Sequence, residues 1–184
     1  MIVILSGTNR LNSRTLIVAK KVKEFYDELN EKSELMDLSL IPIAYGKEQS
    51  YSDPVGAELR QAIEKINSAK GLVIISPEYN GSYPGVLKYF IDHWSYPKSF
   101  EYRPVCFIGL GGRFGGLRPV EHLQQVFGYR NAFMFPQRVF LFNVWDLIKE
   151  NTLQDEFSLE LLKGQSRGFI HFITALGQQD LKPR

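Results

Sequence analysis

Between residues 71 and 94 the chain passes from an uninterrupted apolar run, through a sharply turning polar loop, into helical periodicity. That passage restricts the fold more than any other stretch. Gly71-Leu72-Val73-Ile74-Ile75 is short and rich in β-branched residues, as expected of a strand buried on both faces. Ser76-Pro77-Glu78-Tyr79-Asn80-Gly81-Ser82-Tyr83 then carries the residues that turn a backbone. Pro84 and Gly85 open a predicted helix that runs to about Trp94. A strand that ends in a polar loop and re-enters a helix is where open α/β sheets bind their ligands.

The same succession recurs along the chain. Strands are predicted at Ile2 to Leu5, Ser33 to Leu38, Arg103 to Leu110 and within Met134 to Phe142. A helix from Ser13 or Arg14 to about Asn30 has Leu16, Ala19, Val22, Phe25, Tyr26 and Leu29 on one stripe. Others run from Pro54, with Ser52 or Asp53 as its cap, to about Ala69, from Arg118 to Gly128, and from Ser158 to Leu176. Asp37 to Pro54 is broken by Pro42, Gly46 and Pro54 and reads as a loop. Five apolar strands alternating with helices predict an α/β fold, a three-layer, doubly wound five-stranded parallel sheet of order 2-1-3-4-5. At 184 residues the chain is read as one domain, 1–184, with no linker or repeat. In that order the first and third strands are neighbours, and the loops after them, Ser6 to Ser13 and Pro77 to Tyr83, face one crevice.

Composition narrows the function by exclusion. A net charge of +2, with Lys and Arg mixed among Asp and Glu, argues against nucleic acid and membrane surfaces as partners. The single Cys106 lies inside Val105-Cys106-Phe107-Ile108, so it reads as a core thiol and excludes an internal disulfide. The opening Ile2-Val3-Ile4-Leu5 is too short for a signal h-region and lacks a basic n-region, which predicts a cytoplasmic protein. His93, His122 and His171 fall on three different helices without neighbouring ligands at metal spacing, so no metal is expected.

The first loop is dense in donors. It runs into a helix, where free backbone N–H groups and the positive end of the helix dipole point outward. Thr8, Ser13 and Thr15 add hydroxyls, Asn9 and Asn12 amides, and Arg10 a fork suited to phosphate oxygens. A helix cap needs one such group; this many point to a phosphate monoester. The Walker spacing is absent, and so is Gly-x-Gly-x-x-Gly after the first strand. Gly109-Leu110-Gly111-Gly112-Arg113-Phe114 comes near it after the fourth strand, with Phe114 where the third glycine belongs.

Three stretches together resemble the NAD(P)H-dependent FMN reductase family, which includes quinone, azo and chromate reductases. Ser6-Gly7-Thr8-Asn9-Arg10-Leu11-Asn12-Ser13-Arg14-Thr15 is similar to its phosphate loop. Pro77-Glu78-Tyr79-Asn80-Gly81-Ser82-Tyr83-Pro84-Gly85-Val86-Leu87-Lys88 resembles its second signature closely, and Gly111-Gly112-Arg113-Phe114-Gly115-Gly116 its third. The resemblance implies a flavodoxin-like domain with FMN as cofactor and NAD(P)H as co-substrate. Thr8, Arg10, Ser13 and Thr15 would hold the phosphate. Pro77, Glu78, Tyr79, Asn80, Gly81, Gly111 and Gly112 would adjoin the isoalloxazine ring, and Arg113 is a candidate for binding substrate. The flavin N5 would carry the chemistry, with no catalytic side chain, and hydride would pass from NAD(P)H to a quinone, free flavin, azo compound or similar small acceptor. The resemblance further implies a homodimer or homotetramer. At Tyr89 and His93 the chain departs from the family's commoner Asn and Trp, which bears on packing or subunit contacts.

Two side chains in these stretches have competing roles. Glu78 reads as an ion-pair partner ahead of a general acid or base, because hydride chemistry at a flavin needs no protein base. Lys88 pairs with a carboxylate or lies near a phosphate. Trp94, Tyr96, Phe100 and Tyr102 read as packing residues, with a flavin lid as the lesser alternative. Two other classes of function stay open on sequence alone: a flavin-binding electron carrier or regulatory module with little turnover, and a phosphate-ligand domain without flavin.

Overall fold

The structure, a computed structural model, describes residues 1–43, 56–181 and 183. β1 (Ile2–Ser6), β2 (Ser33–Asp37), β3 (Gly71–Pro77) and β4 (Pro104–Leu110) are parallel neighbours in the order β2-β1-β3-β4. The fifth position is filled by two short strands, β5 (Phe133–Met134) and β6 (Val139–Leu141), each parallel to β4. The predicted 2-1-3-4-5 order therefore holds, with its last strand split around Pro136. Proline cannot donate to a ladder and is tolerated at an edge.

The strands are apolar without alternation because both faces are covered. Ile2 and Ile4 of β1 pack with α1 (Arg14–Glu28) and α6 (Glu156–Gln178) through Val18, Ala19, Val22, Leu162 and Phe169. Val3 and Leu5, one residue out of phase, belong to the opposite cluster. There they join α2 (Ala57–Ser68), α3 (Gly85–Asp92) and α4 (Leu117–Tyr129) through Leu59, Ile63, Phe90, Val120 and Leu123. The period of two along a strand thus feeds two cores. Among the described residues no helix is long and apolar enough to cross a membrane.

Boundaries shift by a residue or two from those predicted, as helix ends do. Pro84 sits at the cap position of α3 rather than inside it. The predicted start of α2 at Pro54 and its cap lie outside the described residues, and the helix is described from Ala57. Two elements after β6 were not predicted: the short helix α5 (Val144–Leu147) and a hairpin of β7 (Ile148–Lys149) and β8 (Thr152–Leu153). Two-residue strands are too short to display a period.

The dense aromatics after α3 are packing groups. Trp94 and Phe100 are buried and lie 5.4 Å apart between ring centroids, with Phe127 at 5.9 and 5.7 Å from them. Tyr102 stacks on Phe133 at 5.4 Å, while Tyr96 is exposed under the guanidinium of Arg130. Tyr89 and His93 meet edge to face at 5.0 Å on one side of α3. Beneath this layer the guanidinium of the buried Arg103 donates from Nη2 to the carbonyls of Asn67 (3.0 Å) and Lys98 (2.7 Å). Burial lowers its pKa to about 10.

Candidate functional site

Parallel registration brings three loops to one edge of the sheet. Ser6 is level with Ile75, and Pro77 with Leu110, so the chain leaves β1, β3 and β4 side by side. Backbone bonds tie these exits together: Gly7 N–H to Ile75 (2.9 Å) and Glu78 N–H to Leu110 (3.0 Å). Between the loops lies a cleft of about 800 Å³, within the range of small-ligand pockets.

One wall is Arg10 to Thr15. Ser13 caps α1, its Oγ accepting the Leu16 N–H at 3.1 Å, and its own hydrogen remains free to donate. The N–H groups of Arg14 and Thr15 stand in the first turn, where the helix offers them no carbonyl. Thr15 is buried and Arg10 exposed. Thr8 is fully buried and is not among the cleft-lining residues; it supports the loop from beneath. Its Oγ accepts the backbone N–H of Arg10 (3.3 Å) and shares a 2.8 Å hydrogen bond with the Tyr79 hydroxyl.

The second wall is Pro77, Glu78, Tyr79 and Asn80. Tyr79 and Ser82 exchange two backbone hydrogen bonds (2.8 and 3.1 Å), with Asn80 at φ 50° and Gly81 at φ 79° between them. Two consecutive positive φ values define a type I′ turn, which Asn-Gly favours. This turn aims Tyr79 back at the first loop, where the Arg10 guanidinium covers its ring at 4.1 Å. Glu78 accepts from Arg118 Nη1 at 3.1 Å, and Arg118 in turn lies 4.1 Å over the Phe114 ring. Lys88 pairs along its own helix with Asp92 at 2.6 Å.

The third wall combines Leu110 and Gly111 with Val144, Trp145, Ile148, Glu150 and Asn151. The glycine loop turns back on the end of β4: Gly116 has φ 80°, and a Cβ there would stand 2.3 Å from the Leu110 nitrogen. No side chain fits that approach. Gly112 lies against Trp145, and Arg113 is an exposed side chain of the same loop, 5.6 Å over Phe114.

Of the residues expected at a cofactor site, Arg10, Ser13, Thr15, Pro77, Glu78, Tyr79, Asn80 and Gly111 line the cleft. Thr8, Gly81 and Gly112 stand behind it, in the turns that shape its walls, and Arg113 is outside the lining. Trp94, Tyr96, Phe100 and Tyr102 do not line it. The lining residues that sequence reasoning passed over are Ile17, Val144, Trp145, Ile148, Glu150 and Asn151. Their one local signal is Glu150-Asn151, both at positive φ (50° and 57°) in a two-residue hairpin turn between β7 and β8.

The residues fit an FMN group on the chemistry of the donors alone. First-turn N–H groups, two hydroxyls and an arginine meet the needs of a phosphate dianion at one end. At the other, Gly111 lines the cleft, and a Cβ there would press on Glu78 Cβ and the Gly116 nitrogen, each at 3.3 Å.

A doubly wound parallel sheet with a ligand cleft at its switch point defines the flavodoxin-like class. Within that class the chain belongs to the NADPH-dependent FMN reductase family, whose model matches residues 1–146. The FMN-dependent NADPH-azoreductase of Staphylococcus aureus is 28% identical over 126 residues, 67% of this chain and 66% of that protein. The alignment thus spans just under two thirds of the relative's length. Among solved structures, the flavoenzyme NAD(P)H:(acceptor) oxidoreductase of Paracoccus denitrificans has a TM-score of 0.75 at 19% identity, over 95% of this chain and 97% of that one. Oxidised Flavodoxin 2 of Bacillus cereus has a TM-score of 0.62 at 13% identity, covering 93% and 98%.

Proposed function

We propose that this chain is a single-domain FMN-dependent NAD(P)H oxidoreductase that works at the cleft between the three loops and reduces a small organic acceptor. The observation that carries the reading is the convergence, on one cleft, of the loops that hold the family's motifs. Arg10, Ser13 and Thr15 hold the FMN phosphate, with Thr8 positioning their loop. Pro77, Glu78, Tyr79, Asn80, Gly81, Gly111 and Gly112 form the bed of the ring. Bound FMN would supply the two-electron redox chemistry that links NAD(P)H to the acceptor.

The side chains bind and orient. Arg10 supplies charge at the phosphate end, and its stacking on Tyr79 limits the rotamers it must give up on binding. Glu78 is committed to Arg118, which leaves positioning, rather than proton transfer, as its role. Arg113, exposed on the glycine loop, meets the phosphates of the nicotinamide nucleotide. The protein acts in the cytoplasm as a homodimer or homotetramer.

The test is direct. Purified protein, reconstituted with FMN if necessary, carries a flavin absorbance band, and anaerobic NADPH or NADH bleaches it faster than free FMN. Absence of the band after reconstitution, or bleaching no faster than free flavin with both nucleotides, overturns the reading. Light-scattering mass in solution measures the oligomer.

A further inference from the structure

Trp145 occupies a part of the cleft that none of the three motifs contributes. It is 54% exposed, although large apolar side chains in a folded domain are mostly covered. The chain's other tryptophan, Trp94, is only 6% exposed. Leu11, 73% exposed, lines the same cleft from the phosphate-loop wall. The cleft therefore offers apolar surface to solvent.

The indole is also held in place. Val144 N–H donates to the Gly111 carbonyl and Asn143 N–H to that of Gly112, both at 3.0 Å, with Asn143 at φ 44° turning the chain. A Cβ on Gly112 would stand 2.9 and 3.0 Å from Cη2 and Cζ3 of Trp145, so the six-membered ring rests directly on glycine backbone. Phe142 rests on Gly115 in the same way, at 3.0 Å. A large aromatic surface fixed by its backbone, facing a ligand cleft and left uncovered, loses little entropy when a flat ring is laid on it.

We infer that Trp145 is a specificity-determining residue that stacks on a planar aromatic acceptor, of the quinone or azo-linked ring class, in the cleft. The inference rests on the proposed function and names its acceptor class. The wall that carries Trp145 continues into the β7–β8 hairpin, beyond residue 146, where the match to the family model ends.

The experiment is calorimetric titration of the oxidised holoenzyme with menadione, a planar two-ring quinone, in the absence of any reduced nucleotide. Flavin content is read by absorbance on the same samples. Trp145→Ala is expected to raise the menadione Kd by roughly three- to tenfold, the range for an aromatic pair. Trp145→Leu, which keeps an apolar side chain without the ring, is expected to follow the alanine variant, and Trp145→Phe to restore the Kd to within about twofold. An unchanged Kd in both Trp145→Ala and Trp145→Leu with flavin bound overturns the inference. So does a Phe variant as weak as the alanine one. A wild-type protein that takes up no FMN overturns instead the functional reading beneath it.

Discussion

Thr8 and Tyr79, 71 positions apart in the chain, share a 2.8 Å hydrogen bond that joins the phosphate loop to the loop after β3. Thr8 is fully buried, so its hydroxyl has no solvent to fall back on. The two loops that the fold places side by side are therefore mechanically linked, and the order of one is set by the other.

Breaking that link is expected to weaken FMN binding. Tyr79→Phe removes the bond and keeps the ring under Arg10, at a loss of about 1 kcal/mol, or roughly fivefold in FMN affinity. Tyr79→Ala loses the stacking as well and is expected to cost more. Quenching of flavin fluorescence on titration into apoprotein measures both, and equal affinities for wild type and both variants would dissociate Tyr79 from the site.

Arg10 is exposed and its guanidinium stacks on Tyr79 of the cleft wall, so its removal should spare the fold. Arg10→Ala is expected to lower FMN affinity by roughly ten- to a hundredfold, the range for a charge-assisted hydrogen bond. Riboflavin, which has no phosphate, should bind wild type and variant alike, and the thermal midpoint should not move. A parallel loss of riboflavin binding would place Arg10 at the ring instead.

Arg103 tests the scaffold. Its Nη2 satisfies two backbone carbonyls, at Asn67 and Lys98, from a position 1% exposed. Arg103→Leu leaves those acceptors without a donor and is expected to cost about 3 kcal/mol of stability. Denaturant unfolding followed by circular dichroism reads the loss, and a change under about 0.5 kcal/mol, the range of an ordinary surface substitution, would contradict it.

Alkaline pH should destabilise the protein from within its core. Burial raises the pKa of Cys106 well above its ordinary 9.0 and that of Tyr26 above 10.0. Both groups then stay protonated in the folded state where the unfolded chain has already released its protons. The contribution of these two groups to stability is constant below about pH 9 and falls as pH rises past it, first through Cys106 and then through Tyr26. Thermal midpoints from pH 7 to 11 should trace this, and Cys106→Val should remove the portion that begins near pH 9. In native protein the thiol should resist alkylation until unfolding.

Much of the scaffold was legible locally. Ile2 to Leu5, Gly71 to Ile75 and Val105 to Ile108 announce strands because a strand buried on both faces must be apolar at every position. Their alternation with amphipathic helices then leaves few topologies, and the order 2-1-3-4-5 followed. Two walls of the cleft were legible for the same reason. The donors of Arg10 to Thr15 and the turn at Asn80-Gly81 are properties of short contiguous stretches, and the sheet carries such stretches to its edge whole.

What the tertiary structure alone decided are the relationships between stretches. Arg118 reaches Glu78 across 40 positions, and Arg103 reaches Asn67 across 36. Neither partner can be read from its neighbours in the chain, because a side chain's partner depends on the packing of whole elements. Trp145 is the clearest case. It follows a split edge strand, sits in a helix of 4 residues and precedes a hairpin of two-residue strands, so no hydrophobic period marks it. Only when the backbone of Asn143 and Val144 is tied to the glycine loop does a tryptophan from an unremarkable stretch become a wall of the cleft. Local patterning determined the sheet and the two loops it presents; long-range packing decided what stands opposite them.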